Sequence, residues 1–473
     1  MTRYWGLVAC LLVALAGCDE TSVMDAAAGQ DGGAIDAGVS SDAGRGRDAG
    51  RTDAGGTDAG GTDAGGTDTQ TAGLFITRAE LERARGRAAS GAEDFQAQGR
   101  AVASRAAAAR EAVADPFTMA DITQIRFGWC GNRAGDDVDD TLGEATEGFM
   151  RDSDRMRSMA LHYALTSDAS SGDAAVSMMR TWADEHTEVN LHDLGVDFAG
   201  AGLDDQTEGY CSDRPWNFAL DAMWQAYGLM NASDAYLLLV RNGYSLSDDD
   251  RTALRAWIRR VAEAVNASHQ AWTRWADAHP SSSSFERYRS DNHLSWAMTG
   301  LISAAAALDD EALAAYVISG GSFRDRGGDY ANPSSIREVI DLAIEPDGRI
   351  YEERILRDPP VGYSLFHLWA MAVVARVAEV HFDQTGDDSL WTYTGSDGAG
   401  LRDAFRRYAG YIEGTLDSPE PSQEGERGEY RWLWEFAAAA YGDPADRALL
   451  DAGSRQTWIL QSVGPVALMI GPD

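Results

Sequence analysis

Lysine is absent from this sequence, and all 40 basic residues are arginines. They stand against 75 acidic residues, which gives a formal net charge of −35 at pH 7. A surface this acidic repels the phosphates of nucleic acids, so a nucleic-acid partner is not expected. Bulk charge is screened beyond about 8–10 Å at ordinary salt. A local cluster of arginines could therefore still bind an acidic ligand.

Long apolar runs are missing beyond the N-terminus, so the rest of the chain is predicted to be soluble. At the N-terminus, Arg3 precedes an apolar stretch from Trp5 to Ala16. This stretch is too short for a permanent membrane helix, which needs about 20 residues. It ends in Leu15-Ala16-Gly17-Cys18, which resembles a bacterial lipobox. Residues 1–17 are predicted to be a signal peptide and Cys18 a lipidated N-terminus, with an ordinary cleaved signal peptide as the alternative. An exported, membrane-anchored lipoprotein of the periplasm or cell surface is expected.

Large apolar side chains are scarce in residues 18–72, where the unit Thr-Asp-Ala-Gly-Gly recurs from Thr52 onward. The few that occur cannot bury enough surface to offset the chain entropy of folding. Residues 18–72 are therefore predicted to form a disordered, acidic linker. Residues 73–473 are predicted to form the folded domain, which is expected to be monomeric.

Cysteine is also rare, with four in the chain. Cys10 leaves with the signal peptide, and Cys18 takes the lipid. Cys130 and Cys211 remain, and an even pair in an oxidising compartment predicts a disulfide. Two buried free thiols are the alternative. Neither a CxxC nor an HExxH spacing occurs, so no metal site and no cofactor is expected.

Strand signals are few, and only the tail from Gln456 to Ile470 is ambiguous. The rest of the domain has helical periodicity, with prolines between the segments. Thr77 and Glu80 form a capping-box signature before an Ala-rich helix that is expected to reach Val113. About ten helices joined by polar loops predict an all-α fold, an α/α toroid (an incomplete α/α barrel) of helical hairpins. A superhelical repeat array is the alternative, but no fixed period of about 34 residues is present.

The strongest candidate for a functional cluster is Asp291-Asn292-His293-Leu294-Ser295-Trp296. Ser290 or Asp291 can cap a helix whose first turn holds Asn292 and His293. Free N–H groups at a helix start, together with an Asn amide and a His, suit a carboxylate ligand. A structural cap with a buried His is the alternative.

A second cluster consists of Arg357 and Tyr363-Ser364-Leu365-Phe366-His367. Tyr363 and His367 are four positions apart in the sequence (i and i+4), so they share one helix face. A nearby arginine favours the tyrosinate form, which makes a tyrosine usable as a base. A surface Arg with a core Tyr is the alternative.

Together, Asn-His-x-x-Trp and the downstream Arg-x₅-Tyr-Ser-Leu-Phe resemble the alginate lyase domain of polysaccharide lyase family 5 and its relatives. The resemblance extends from about Leu74 to about Tyr411 and implies an α/α toroid. This chain departs from the family pattern at three places. Asp291 precedes Asn292 where another Asn is usual, Arg354 stands where a Glu is usual, and His367 stands where relatives often carry Asn. The site arginine is therefore either Arg357 or Arg354.

The resemblance implies β-elimination at a 4-linked uronate of an acidic polysaccharide. Asn292, His293 and Arg357 would neutralise the uronate carboxylate, and Tyr363 would take the C5 proton, with His293 as the alternative base. His367 is expected to bind substrate. Trp129, Trp216 and Trp296 are candidate sugar-stacking platforms, although core packing is the commoner role of Trp.

Two other functions remain open from the sequence. A toroid could hydrolyse glycosides with two carboxylates, for which Asp291 and either Glu352 or Glu353 are the candidates. The chain could also be a non-catalytic glycan-binding lipoprotein.

Overall fold

The computed structural model describes residues 71–113, 141–185, 216–278, 289–325, 328–332, 334–355, 360–416, 430–453 and 464–471. All of them belong to one compact unit, Gly65–Asp473. The predictions for the signal peptide, residues 18–70 of the linker, Cys18, Cys130, Cys211, Trp129 and Arg357 lie outside the described residues. The end of the linker at residue 72 is wrong, because Thr71 and Ala72 are buried in the folded domain. The described part is helical apart from one two-stranded antiparallel hairpin.

In chain order, the helices and strands are α1 (Arg78–Ser90), α2 (Glu93–Glu111), α3 (Thr141–Thr166), α4 (Ala169–Glu185), α5 (Trp216–Val240), α6 (Asp248–Ala278), α7 (Asn292–Leu308), α8 (Glu311–Ser319), β1 (Gly321–Asp325), β2 (Gly328–Asn332), α9 (Ile336–Ala343), α10 (Tyr351–Arg354), α11 (Pro360–His381), α12 (Leu401–Glu413), α13 (Trp434–Tyr441), α14 (Pro444–Asp451) and α15 (Val466–Met469). Short 3₁₀ turns occur at Gly386–Asp388 and Arg431–Leu433.

Three long helices, α5, α7 and α11, run in the same direction. At their C-terminal ends, Arg241 pairs with Asp309 at 3.0 Å, and both interact electrostatically with His381, the last residue of α11. Nearer the start of α7, the ring of Trp296 lies 4.6 Å from the ring of Tyr227 on α5. The N-terminal ends of the three helices are therefore at the same end of the fold.

Helix α3 runs parallel to α5. The ring of Phe149 fills the space beside Gly228, and eight residues further along α3 the guanidinium of Arg157 binds Asp234 at 2.9 Å. The contacts thus advance in the same order on both helices. Arg157 and Asp234 are both buried, so this ion pair fixes the register of the two helices.

The intervening helices run the opposite way. On α4, Ser171 near the start contacts His162 near the end of α3 at 2.9 Å. Trp182 near the end of α4 donates to Asp152 at 2.9 Å. Helix α6 begins beside the end of α7, where Arg255 donates to the carbonyl oxygen of Leu308 at 2.6 Å. Parallel inner helices with antiparallel partners form the α/α toroid that the sequence predicted, and this fold class is confirmed.

The segment 71–76 lies against the C-terminal ends of α5 and α11. Its apolar side chains are buried in the core. Its backbone is bound by four polar side chains: Asp234 accepts from Leu74 N, Asn242 donates to the oxygen of Ala72, Arg376 donates to that of Phe75, and His381 bonds that of Gly73. The chain therefore enters the domain at the end opposite to the N-termini of the inner helices.

Several local predictions have a clear outcome. The capping box of Thr77 and Glu80 is confirmed. The single helix expected as far as Val113 is wrong, because the chain breaks at Gly91 and forms α1 and α2. The β1–β2 hairpin was not predicted, since its five-residue strands are short and mostly polar. In the ambiguous tail, the described residues include the short helix α15.

Among the described residues, one helix, Pro360–His381, is long and apolar enough to cross a membrane. In the folded protein, 94% of the most apolar 18-residue stretch of this helix is buried. This degree of burial is that of a core helix, and α11 is the core helix that carries Tyr363 and His367.

Candidate active site

The two sequence clusters lie side by side at the N-terminal ends of α7 and α11. Asn292 and His293 occupy the first turn of α7, and Tyr363 and His367 occupy the first two turns of α11. The short helix α10 lies between them and carries Glu352. All five of these side chains are at most 4% exposed.

Asp291 caps α7 and also orients His293. Its Oδ1 accepts the backbone N–H groups of His293 at 3.1 Å and Leu294 at 3.3 Å. Its Oδ2 lies 2.8 Å from Nδ1 of the His293 ring. An ionised carboxylate only accepts hydrogen bonds, so Nδ1 carries the proton and donates.

Glu352 joins the two clusters. Its Oε1 accepts the backbone N–H of Asn292 at 3.0 Å. Its Oε2 accepts a hydrogen bond from Nδ1 of His367 at 2.9 Å. A single buried carboxylate therefore fixes the start of α7 to the second turn of α11. The sequence identified Glu352 only as a candidate acid of a hydrolase, and no local pattern reveals this bridging role.

The amides at the start of α7 are thus already occupied. Glu352 takes the N–H of Asn292, and Asp291 takes those of His293 and Leu294. The expectation that these amides bind a carboxylate ligand is therefore wrong, because two protein carboxylates have that place. The side-chain nitrogen Nδ2 of Asn292 remains, since it has no hydrogen-bond partner within the described residues.

Glu353, the neighbour of Glu352, points to a different cluster. Its carboxylate accepts hydrogen bonds from Arg407 at 2.6 Å and from the hydroxyl of Tyr408 at 2.7 Å. Asp291, Glu352 and Glu353 are therefore all engaged in holding other groups. This geometry gives no support to the two-carboxylate hydrolase.

Tyr363 is buried one helical turn before His367 on the same face of α11. It lies near Tyr227 of α5, which the sequence did not single out. Burial raises the pKa of Tyr227 well above its usual value, and the neighbouring Tyr363 and Tyr430 raise it further. Tyr227 therefore stays a neutral phenol beside the proposed base.

Of the two candidate arginines, Arg354 is engaged away from this centre. Its guanidinium lies 3.6 Å from Glu345 and 4.7 Å from the ring centroid of Tyr351, and 29% of its side chain is exposed. This placement favours Arg357 as the site arginine. Because Arg357 is outside the described residues, its role stays a prediction.

The tryptophan predictions have different outcomes. Trp296 is fully buried, with ring centroids of Tyr227, Phe366 and Trp369 within 5.0 Å of its own. Its assignment as an accessible sugar platform is corrected to a core role, because no face of its ring is open. Trp216 is the first residue of α5, at the same end of the fold as Asn292. The stacking roles of Trp216 and Trp129 stay predictions.

The buried polar atoms near the start of α7 and α11 that have no hydrogen-bond partner within the part of the chain that the structure describes include Nδ2 of Asn292 and Nε2 of His367. Unsatisfied buried polar atoms are rare in folded proteins, because each costs about 1–3 kcal/mol. Partial positive charge from the N-terminal ends of three parallel helices falls in the same region. Donors and acceptors without partners in a positive environment indicate a site for a polar, anionic ligand.

The fold and the site define a helical-toroid protein with a buried acid–base centre, built from two histidine–carboxylate pairs and a tyrosine. A family model described as alginate lyase matches residues 94–417, which include both clusters. The chain therefore belongs to the alginate lyase family.

Two solved structures are similar to this chain. The first is an alginate lyase from Bacteroides ovatus, which is 15% identical, with 85% of this chain and 100% of that chain covered and a TM-score of 0.55. The second is alginate lyase A1-III from Sphingomonas species A1, which is 13% identical, with 71% and 80% covered and a TM-score of 0.47. No curated protein matches the sequence significantly. At this identity, the first structure supports the fold alone.

Proposed function

We propose that this protein is a polysaccharide lyase that cleaves 4-linked uronate polymers, alginate or a related polyuronate, by β-elimination. Membership of the alginate lyase family supports lyase chemistry on an acidic polysaccharide. The observation that carries the proposal is the bridge through Glu352, which brings Asn292 and His293 next to Tyr363 and His367.

In this reaction, a base removes the proton on C5, which is next to the uronate carboxylate. The electron pair of the C–H bond forms the C4–C5 double bond, and the C4–O bond breaks towards the leaving sugar. The leaving oxygen takes a proton. The difficult step is the first, because a carboxylate already carries negative charge. Hydrogen-bond donors held at the developing charge lower this barrier by a few kcal/mol each.

The side chains divide these tasks. Nδ2 of Asn292 is a buried donor without a partner in the described residues, and it would bind the uronate carboxylate. Arg357 would add a positive charge to the same group. Tyr363 would take the C5 proton and return a proton to the leaving oxygen.

His293 is the alternative base. Its Nδ1 is held by Asp291, and in this assignment its Nε2 would take the C5 proton. Which of His293 and Tyr363 acts depends on the face of the sugar that carries the C5 proton.

We further propose that the protein is exported and anchored through a lipid on Cys18, as the lipobox-like sequence suggests. Cys130 and Cys211 would form a disulfide in that compartment. The enzyme would act as a monomer on polysaccharide outside the cytoplasm.

Ultraviolet absorbance tests the activity, because the unsaturated uronate product absorbs and the substrate does not. The unit from Gly65 onward, mixed with polymers of mannuronate, guluronate and glucuronate, should give rising absorbance with at least one of them. Tyr363→Phe should reduce the rate at least ~100-fold. Tyr236→Phe is the matched control, since Tyr236 is equally buried on α5 but lies near the opposite end.

The outcomes separate the candidates. If no polyuronate gives rising absorbance but new reducing ends still form, the protein is a hydrolase and not a lyase. Binding without either product would identify a non-catalytic glycan-binding protein.

A further inference from the structure

The pairing of Glu352 with His367 goes beyond the catalytic groups of the proposed reaction. Glu352 is fully buried, and both of its oxygens accept hydrogen bonds, from Asn292 N at 3.0 Å and from Nδ1 of His367 at 2.9 Å. A carboxylate in this position cannot donate to His367. When the His367 ring carries a single proton, that proton is therefore held on Nδ1.

The other nitrogen of the ring is left with a lone pair and no partner. Nε2 of His367 is buried and has no hydrogen-bond partner in the part of the chain that the structure describes. With Nδ1 protonated, Nε2 is an acceptor. A ligand that brings a hydroxyl to this atom would recover the hydrogen bond that burial has cost it.

The position of Nε2 also limits which hydroxyl it can meet. Tyr363 and His367 are one turn apart on the same face of α11, which corresponds to a rise of about 6 Å. A sugar whose C5 lies at Tyr363 therefore presents its nearby hydroxyls to His367. Both groups stand on the buried core helix, so their separation is fixed.

We propose that His367 is a specificity-determining residue that accepts a hydrogen bond from a sugar hydroxyl within one ring of the reacting C5, and that Glu352 is the positioning residue that holds His367 in the accepting tautomer. This proposal rests on the proposed lyase function. It assigns to Glu352 a role in binding rather than in proton transfer. It also explains why a second histidine–carboxylate pair stands beside Asp291 and His293.

Kinetics of variants test the binding role. His367→Phe, which lacks the acceptor, should raise KM about 10- to 100-fold and change kcat less. His367→Gln, which keeps an acceptor oxygen, should recover part of the loss.

Glu353→Gln is the matched control for Glu352→Gln. Both replace a buried carboxylate of α10 by its isosteric amide, but Glu353 holds Arg407 and Tyr408 instead of His367. Glu352→Gln should raise KM, whereas Glu353→Gln should lower stability and leave KM unchanged. Equal KM values for the two variants would overturn the role of Glu352.

The tautomer can be measured without any activity. Nitrogen-15 NMR of the histidine-labelled domain should show the proton of His367 on Nδ1, and His367→Gln assigns the signal by its loss. Addition of polyuronate oligosaccharides should shift the Nε2 resonance. A proton on Nε2 in the free protein, no shift with any oligosaccharide, or an unchanged KM in folded His367→Phe would each refute the proposal. If wild type cleaves no polyuronate but the resonance shifts, the lyase reaction fails and the hydroxyl contact stands.

Discussion

Asp291 binds His293 through both of its carboxylate oxygens, one to the backbone N–H at 3.1 Å and one to ring Nδ1 at 2.8 Å. The same side chain therefore starts helix α7 and sets the orientation of the histidine. A helix cap and a histidine–carboxylate pair usually need separate residues, and here one residue supplies both. Rotation of the His293 ring would break its hydrogen bond to the carboxylate that caps α7.

Asp291→Asn should therefore lower activity far more than stability. The Asn side-chain oxygen can still cap α7, so the free energy of unfolding should change by about 1 kcal/mol or less. Its amide group would face Nδ1 and favour the wrong tautomer of His293, for which a rate loss of at least about 100-fold is expected. Asp310→Asn is the control, because Asp310 caps α8 and lies away from His293. Similar kcat values for both variants would contradict the orienting role of Asp291.

Trp296→Ala should destabilise the protein by about 3–5 kcal/mol, because it removes a fully buried aromatic side chain. Chemical denaturation measures this loss. Trp296→Phe should lose much less stability than Trp296→Ala and should keep KM near the wild-type value. A sugar-stacking role would show the reverse result, with a raised KM in Trp296→Phe and nearly unchanged stability in Trp296→Ala.

Gly300 allows α7 and α5 to approach closely. A Cβ atom at this position would lie 2.7 Å from Cα of Ala226. Gly300→Ala should therefore cost about 1–3 kcal/mol and lower kcat, since a shift of α7 moves Asn292 and His293. Gly86→Ala is the control, because a Cβ there meets nothing within 4 Å on the exposed side of α1. Gly86→Ala should stabilise the protein by up to about 1 kcal/mol. An increase in stability from Gly300→Ala would contradict the close packing of α7 and α5.

His381 should make the fold sensitive to acid. Burial lowers its pKa from 6.5 to about 4 in the folded protein. Between these two values the unfolded chain binds the proton and the folded protein does not, so stability falls as the pH falls from 6.5 towards 4. The expected loss is about 3 kcal/mol.

The measurement compares wild type with His381→Gln, which can still donate to the carbonyl oxygen of Gly73. Denaturant titrations at pH 7, 6, 5 and 4 should show a steeper fall for wild type over this range, because the other titrating groups are common to both proteins. Parallel curves would mean that His381 is protonated without cost in the folded state.

The features of the fold and of the site that could be predicted from the sequence are those that depend on residues close together in the chain. Asp291 caps α7, and Thr77 with Glu80 starts α1, because a cap depends on side chains within about one helical turn. The spacing of Tyr363 and His367 likewise follows from helix geometry alone. Each of these predictions is local in the chain.

The parts that the sequence did not reveal depend on long-range contacts. Glu352 is 60 residues from Asn292 and 15 from His367, and no periodic pattern links the three. Helix α7 is buried along all 17 of its residues, so hydrophobic periodicity cannot tell which face meets a ligand. For this reason the sequence could not separate a core Trp296 from an accessible one.

Residues 71–76 determine how this domain can be attached to anything that precedes it. They enter beside the last turns of α5 and α11, where Arg376 and His381 bind their backbone, while Asn292 and Tyr363 stand at the other end of the inner helices. The entry of the chain and the candidate active site are thus at opposite ends of the inner helices. If the proposed lipid anchor on Cys18 tethers the domain, a long polymer could reach the candidate active site without passing the segment 71–76, and that site would face away from the anchored surface.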